Sequence, residues 1–211
     1  MKLYYGSKTL LTKPICGVGN PTNDYGVGLY LTPDLDMARL WASRYEEGYA
    51  ITYDLDMTGL KVLRLDNNTN EDILKWITLL ISHRFDYRTK EMYKERIEFL
   101  ENSYLLDIDK YDVIIGYRAD DSYFAYSRDF LSNDLSIEKL KEAMILGHLG
   151  KQIVLKSKKA FSKICYVSSE VVSKSNEYNK FRENILDKYH RLKTQDSDSN
   201  TFIRDIIRGK R

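Results

Sequence analysis

The chain holds 211 residues, 43% of them hydrophobic, and its 33 Lys and Arg nearly balance 31 Asp and Glu for a formal net charge of +2. That balance argues against a protein that works chiefly by coating nucleic acid or membrane while leaving room for a local basic face, and the length allows one sizeable domain, alone or with an appended tail. No apolar stretch approaches the roughly 20 residues of a membrane-spanning helix, Met1 to Tyr5 opens no signal peptide, and Cys16 and Cys165 lack metal-ligand spacing, so a cytoplasmic protein with no membrane contact and no metal is expected.

Lys2-Leu3-Tyr4-Tyr5 predicts a short strand ended by Gly6-Ser7. Residues 8–24 have few periodic apolar positions and contain Pro14, Gly17, Gly19 and Pro21, which predicts a loop long enough to serve a site and to close over it. Tyr25-Gly26-Val27-Gly28-Leu29-Tyr30 then demands a sharp bend leading into a strand. Glycine permits the bend and lets a ligand approach the main chain, and the flanking tyrosines offer flat faces for stacking. The same spacing also describes a turn with no ligand.

Pro33-Asp34 opens a helix with Leu40 and Trp41 on its buried side. Residues 50–56 and 60–65 alternate with period two and predict a hairpin or two neighbouring strands. Thr69 or Asn70 caps a helix carrying Ile73, Ile77, Leu80 and Ile81, with Trp76 in the core and Arg84 as a solvated last-turn charge, and a second helical pattern runs through Tyr93, Ile97 and Leu100. Val113-Ile114-Ile115 reads as a central strand. The Asp120-Asp121 pair after it suits either a turn or a substrate-positioning carboxylate. Ser136 caps a further helix ending near Gly150, followed by strands at 152–157 and 164–167. From Glu170 the chain turns polar, with a helix at 177–192, a soft linker, and a basic end at Arg204, Arg208, Lys210 and Arg211. The expected division is 1–168 as one domain and 169–211 as a polar helical extension.

Taken in order, these pieces resemble the ADP-ribosyltransferase superfamily. Tyr25 to Tyr30 is similar to its Tyr-Gly-x-Gly-x-Tyr motif, and Tyr5-Gly6-Ser7 to a first-strand Tyr-His-Gly-Ser motif. The likeness extends to a bacterial family catalogued as domain of unknown function 3990. It runs through Tyr5–Ser7, Asp24–Thr32, Ala38–Ala42, Trp76–Arg84, Gly116–Asp121 and Leu149–Gln152 and covers roughly residues 1–168. The resemblance implies an α+β fold, an ADP-ribosyltransferase-like split β-sandwich with flanking helices and a helical C-terminal tail. It also implies a toxin- or effector-like mono-ADP-ribosyltransferase that takes NAD as substrate, modifies a protein or nucleic-acid acceptor, and is held in check by a small inhibitory partner protein.

The resemblance implies roles residue by residue. Tyr30 becomes the stacking platform, the Gly6 main chain holds the nicotinamide amide, and the Ser7 hydroxyl bonds the nearby ribose. Asn23 and Thr32 are further contacts, Gly28 lets the ligand close to the turn, and Tyr5 stands where a ribose-bonding His is usual. Gln152 stands where a Glu is usual. Cleavage of the nicotinamide–ribose bond passes through an oxocarbenium-like state, whose charge a neutral glutamine does not balance. Asp120 or Asp121 is then the expected source of that charge. Two other functions share the same cleft: a catalytically silent NAD- or nucleotide-binding module, and an NAD glycohydrolase with water as acceptor.

Overall fold

The computed structural model describes residues 1–119, 123–146, 150–195 and 200–209. It is a mixed α+β chain built around two sheets. β1 (Lys2–Ser7), β3 (Glu47–Leu55) and β7 (Ile164–Ser173) form an antiparallel sheet in the order β1-β3-β7. The second has the order β2-β6-β5-β4, from β2 (Leu29–Leu31), β4 (Val62–Leu65), β5 (Val113–Tyr117) and β6 (Lys151–Leu155), with β4 and β5 parallel. An isolated bridge joins the sheets, where Tyr4 N donates to Thr32 O at 2.8 Å and Thr32 N to Tyr4 O at 2.9 Å.

The sheets enclose an apolar layer in which Leu3, Ile51, Tyr53 and Leu55 of one face Val113, Ile115, Ile153 and Leu155 of the other. The opposite side of the second sheet presents Leu65, Ile114 and Val154 to a helical layer. β5 is therefore buried on both faces, which is why its sequence is continuously apolar. Each such side chain taken fully out of water contributes about 1.5–3 kcal/mol.

α1 (Leu35–Ala42) begins where the Asp34 carboxylate accepts from Asp36 N and Met37 N, and it buries Met37, Ala38, Trp41 and Ala42. It lies so close to β1 that a Cβ at Gly6 would run into the Ala38 carbonyl oxygen. α2 (Asn70–Arg84), capped by Thr69, buries Ile73, Trp76, Ile77 and Leu80 against the sheet and against α4 (Lys94–Tyr104) and α6 (Ile137–Leu146). Shorter helices are α3 (Tyr87–Met92), α5 (Tyr123–Ser132) and α7 (Lys158–Phe161), and α8 (Glu177–Thr194) and α9 (Ile203–Ile207) end the chain.

Several elements differ from the sequence expectation. β3 and β4 are not a hairpin: they belong to different sheets, β3 pairing with β1 and β7 and β4 running parallel to β5. Alternation of period two reports a half-buried strand and is blind to its partner. β7 continues six residues past Val167 to Ser173, because a strand at the edge of a sheet, exposed along most of its length, shows no apolar alternation. The boundary expected between residues 168 and 169 thus falls inside a strand. The C-terminal helices join the main helical core through Ile185, Tyr189, Leu192 and Ile203, and the Tyr189 hydroxyl and Lys193 ammonium both bind Asp129 Oδ2, at 2.6 and 2.8 Å. α5, with buried Tyr126, Phe130 and Leu131, had no counterpart in the sequence expectation. Asp120, Asp121, Leu149, Lys210 and Arg211 lie outside the described residues. Among the described residues no helix is long and apolar enough to cross a membrane.

Candidate functional site

A cavity of about 650 Å³ opens where the end of β1, the loop of residues 8–28, the C-terminal end of β5 and the start of β6 converge. Of the residues expected to form a site, Tyr5, Gly6, Ser7, Asn23, Gly28, Tyr30 and Gln152 all line it. Its aromatic walls are Tyr5, Tyr30, Trp41, Tyr45, Phe161 and Tyr178, and its cations are Lys8, Arg44, Arg84 and Arg118. Asp24 is the carboxylate among the described lining residues. An aromatic, net-positive cavity of this size suits an anionic ligand bearing flat rings.

Asp24 is the centre of the buried wall. Its Oδ1 accepts from Arg84 Nη1 at 2.8 Å, and its Oδ2 accepts from Ala119 N and from Gln152 Nε2, each at 3.0 Å. The side chains of Arg84 and Asp24 are 16% and 8% exposed, so Arg84 is no solvated helix-end charge but half of a sheltered ion pair. Gln152 Nε2 also donates to Tyr117 O at 3.1 Å. Both protons of the amide are thereby committed, which fixes its orientation and leaves the carbonyl oxygen as the acceptor Gln152 can offer.

The Tyr117 carbonyl oxygen receives two further donors, the Tyr25 hydroxyl and Trp76 Nε1, both at 3.0 Å. Three sequence-distant segments are thus tied to the end of β5. Trp76 serves in the core, as expected.

The glycine turn is closed from within. Gly26 has φ +68°, a conformation that glycine adopts without strain. The Tyr30 hydroxyl donates to Gly26 O at 2.6 Å and accepts from Tyr25 N at 3.0 Å, and Lys156 Nζ donates to Tyr25 O and Val27 O at 2.8 Å. Tyr30 can therefore present only its ring to the cavity, while Tyr25 is fully buried and supports the turn. Burial pushes the phenols of Tyr25 and Tyr30 well above their ordinary range, reinforced in Tyr25 by the Asp24 charge and opposed in Tyr30 by the Tyr25 N–H. Burial, then the neighbouring Tyr45, raises Tyr5 as well. These phenols stay protonated and act as donors or stacking faces, not as bases.

Thr32 does not reach the cavity. It is fully buried, its hydroxyl accepts from Asp34 N at 3.1 Å, and its backbone forms the bridge to Tyr4. A β-branched residue between a strand and a helix start is better placed to hold that junction than a ligand. Asp120 and Asp121, the expected charge source, lie outside the described residues. No group of three or more His, Cys, Asp or Glu poised to hold a metal occurs among the described residues.

Four contributors were not legible beforehand: Asp24 as the wall's carboxylate, Arg84 as its partner, Arg118, and Tyr178. The Arg118 guanidinium lies 3.6 Å from the centroid of the Trp41 ring. Among the described residues the buried Trp41 indole N–H meets no hydrogen-bond acceptor, leaving an unspent donor in a wall residue. The only advance signal was Asp24 directly before the glycine turn, since its partner stands 60 residues away.

Residues 1–166 match the family described as Protein of unknown function (DUF3990). The chain belongs to that family. The match spans every strand that borders the cavity and ends within β7, so the family's common region includes Asp24, Arg84 and Gln152 but not Tyr178. No curated protein and no solved structure matches the chain.

Proposed function

We propose that the cavity binds NAD and that the protein is a mono-ADP-ribosyltransferase with an ADP-ribosyltransferase-like fold. The observation that carries this reading is the meeting, in one aromatic and net-positive cavity, of Tyr5-Gly6-Ser7, the Tyr25–Tyr30 turn and Gln152, three motifs scattered over nearly 150 residues. Its cations suit a pyrophosphate and its rings suit two bases.

In the reaction the bond from ribose C1′ to the nicotinamide nitrogen breaks, its electron pair leaves with neutral nicotinamide, and positive charge develops on C1′ and the ring oxygen. A nucleophile of the acceptor macromolecule adds at C1′, forming the new bond, and its proton passes to solvent water. The Tyr30 ring stacks on nicotinamide. The Gln152 carbonyl oxygen accepts from a ribose hydroxyl. Asp24 supplies negative charge from the buried wall, partly offset by Arg84. A Gln at position 152 is in this arrangement a donor that holds Asp24, and Asp24, next to the glycine turn, is the carboxylate.

A specific observation favours a second reading. Asp24 is engaged by Arg84, Ala119 and Gln152, so its charge is largely spent inside the protein. A chain built this way also suits a silent module that binds NAD without turning it over. Incubating purified protein with NAD labelled in its adenylate half and with cell lysate separates the outcomes. Label on macromolecules supports transfer, nicotinamide released without attached label supports hydrolysis, and binding without either supports the silent module. Failure to bind NAD at all overturns the proposal.

A further inference from the structure

α8 begins at the mouth of the cavity. Tyr178, in its first turn, lines the cavity half-buried, and the Arg44 guanidinium lies 4.8 Å from the centroid of its ring and 5.5 Å from that of Tyr45. Arg44 is held in place by its Nε, which donates to Trp41 O at 3.0 Å. Tyr5 belongs to this end too, since both Tyr45 and Arg44 act electrostatically on its phenol. The other end contains Tyr30, Asp24 and Arg84, which are likewise mutually close. The cavity therefore has two aromatic ends of different charge character: one holds the Asp24 carboxylate balanced by the Arg84 guanidinium, and the other holds the Arg44 guanidinium against two tyrosine rings.

That difference sorts the rings of a dinucleotide. A cationic nicotinamide is repelled beside Arg44 and meets a balanced pair beside Asp24, whereas a neutral, electron-rich purine gains from stacking on both a tyrosine and a guanidinium. We propose that Tyr178, Tyr45 and Arg44 form a purine subsite, and that Tyr178, supplied from beyond the residues 1–166 shared with the family, determines how tightly the purine half is held. The assignment rests on the cavity being a dinucleotide site. It makes the C-terminal extension part of the binding site instead of an appendage.

Tyr178 can be changed without undocking α8, because Ile185, Tyr189 and Leu192 anchor the helix in the core. The test is calorimetric titration of the full chain with AMP, nicotinamide mononucleotide and NAD, for wild type, Tyr178→Ala and Tyr178→Phe, with thermal melts to verify folding. Loss of one stacked base predicts that Tyr178→Ala weakens AMP and NAD about ten- to a hundredfold. Nicotinamide mononucleotide binds that variant unchanged, and Tyr178→Phe, which keeps the ring, restores the loss. The proposal is overturned if Tyr178→Ala binds AMP as wild type does, or if it loses nicotinamide mononucleotide as strongly as AMP. Wild type that binds AMP but neither NAD nor nicotinamide mononucleotide sinks the dinucleotide reading while leaving the purine subsite standing. Wild type that binds none of the three sinks both.

Discussion

Gln152 Nε2 stands 3.0 Å from Asp24 Oδ2, joining the start of β6 to the entrance of the glycine turn across 128 residues of sequence. The consequence is that neither residue can be changed alone without disturbing the other, and the two make opposite demands on charge.

Removing the carboxylate should be costly. Asp24→Ala removes a shared acceptor of Arg84, Ala119 N and one proton of Gln152 from a sheltered wall, and breaking a buried pair from one side typically costs about 3–5 kcal/mol. Urea unfolding should show that loss with little change in slope. A cost below about 1 kcal/mol would mean that water reaches the pair freely.

Gln152→Glu is the informative converse. It replaces the donor facing Asp24 and Tyr117 O by a second carboxylate, so two negative groups meet unless one takes up a proton. The variant should lose stability as pH rises from 5 to 8, whereas Gln152→Ala should be lowered by a similar amount at both ends. Parallel melting curves for the two variants across that range would contradict the geometry.

Acid should weaken the native chain through His83. Burial, assisted by Lys156, holds its imidazole below the usual histidine range, so the unfolded chain binds the proton more readily than the folded one. Stability is therefore complete above the unfolded value near 6.5 and falls as pH drops through the lower folded value. Asp56 and Asp112 are shifted downward from an ordinary value of 3.8, chiefly by hydrogen bonds from the Lys163 side chain and the Lys61 N–H respectively, and titrate only in stronger acid. Melting temperatures measured between pH 7.5 and 5 should decline in wild type and decline less in His83→Gln.

Lys156 secures the turn through two carbonyls, and hydrogen bonds involving a charged group contribute about 1.5–3 kcal/mol each net of the exchange with water. Lys156→Met should lower the melting temperature by several degrees and weaken NAD binding more than Lys139→Met, which alters a distant contact to the chain near Gln195. Equal effects of the two changes would remove the turn from the binding site.

The loop before the turn should protect and be protected. Its residues Leu11, Pro14, Ile15 and Val18 line the cavity, with Ile15 and Val18 also broadly exposed, and its ties to the body include Tyr53 Oη to Leu11 O and Cys16 Sγ to Lys156 O at 3.6 Å. Saturating NAD should slow cleavage of this loop by a broad-specificity protease. An unchanged cleavage pattern would mean that it does not close on the ligand.

Much of the cavity could be read from local patterns, because glycine turns, capped helices and apolar runs announce themselves within a few residues. Tyr5, Gly6, Ser7, Gly28, Tyr30 and Gln152 come together as their motifs suggested. What escaped were relationships with no local trace. Arg84 at the end of a helix has the same appearance whether it meets water or Asp24. Edge strand β7 is exposed along most of its length and carries Ser168-Ser169-Glu170 midway, so its continuation to Ser173 looked like the start of a tail. α8 has few apolar positions, yet Ile185, Tyr189 and Leu192 suffice to dock it.

The acceptor on which Tyr25, Trp76 and Gln152 converge is a main-chain oxygen at Tyr117. Genetic change can delete any one of the three donors but cannot delete that oxygen, since every amino acid carries it. The cavity's frame thus hangs from a point immune to substitution, and variation in the side chain at 117 leaves the anchor in place while variation at 25, 76 or 152 does not.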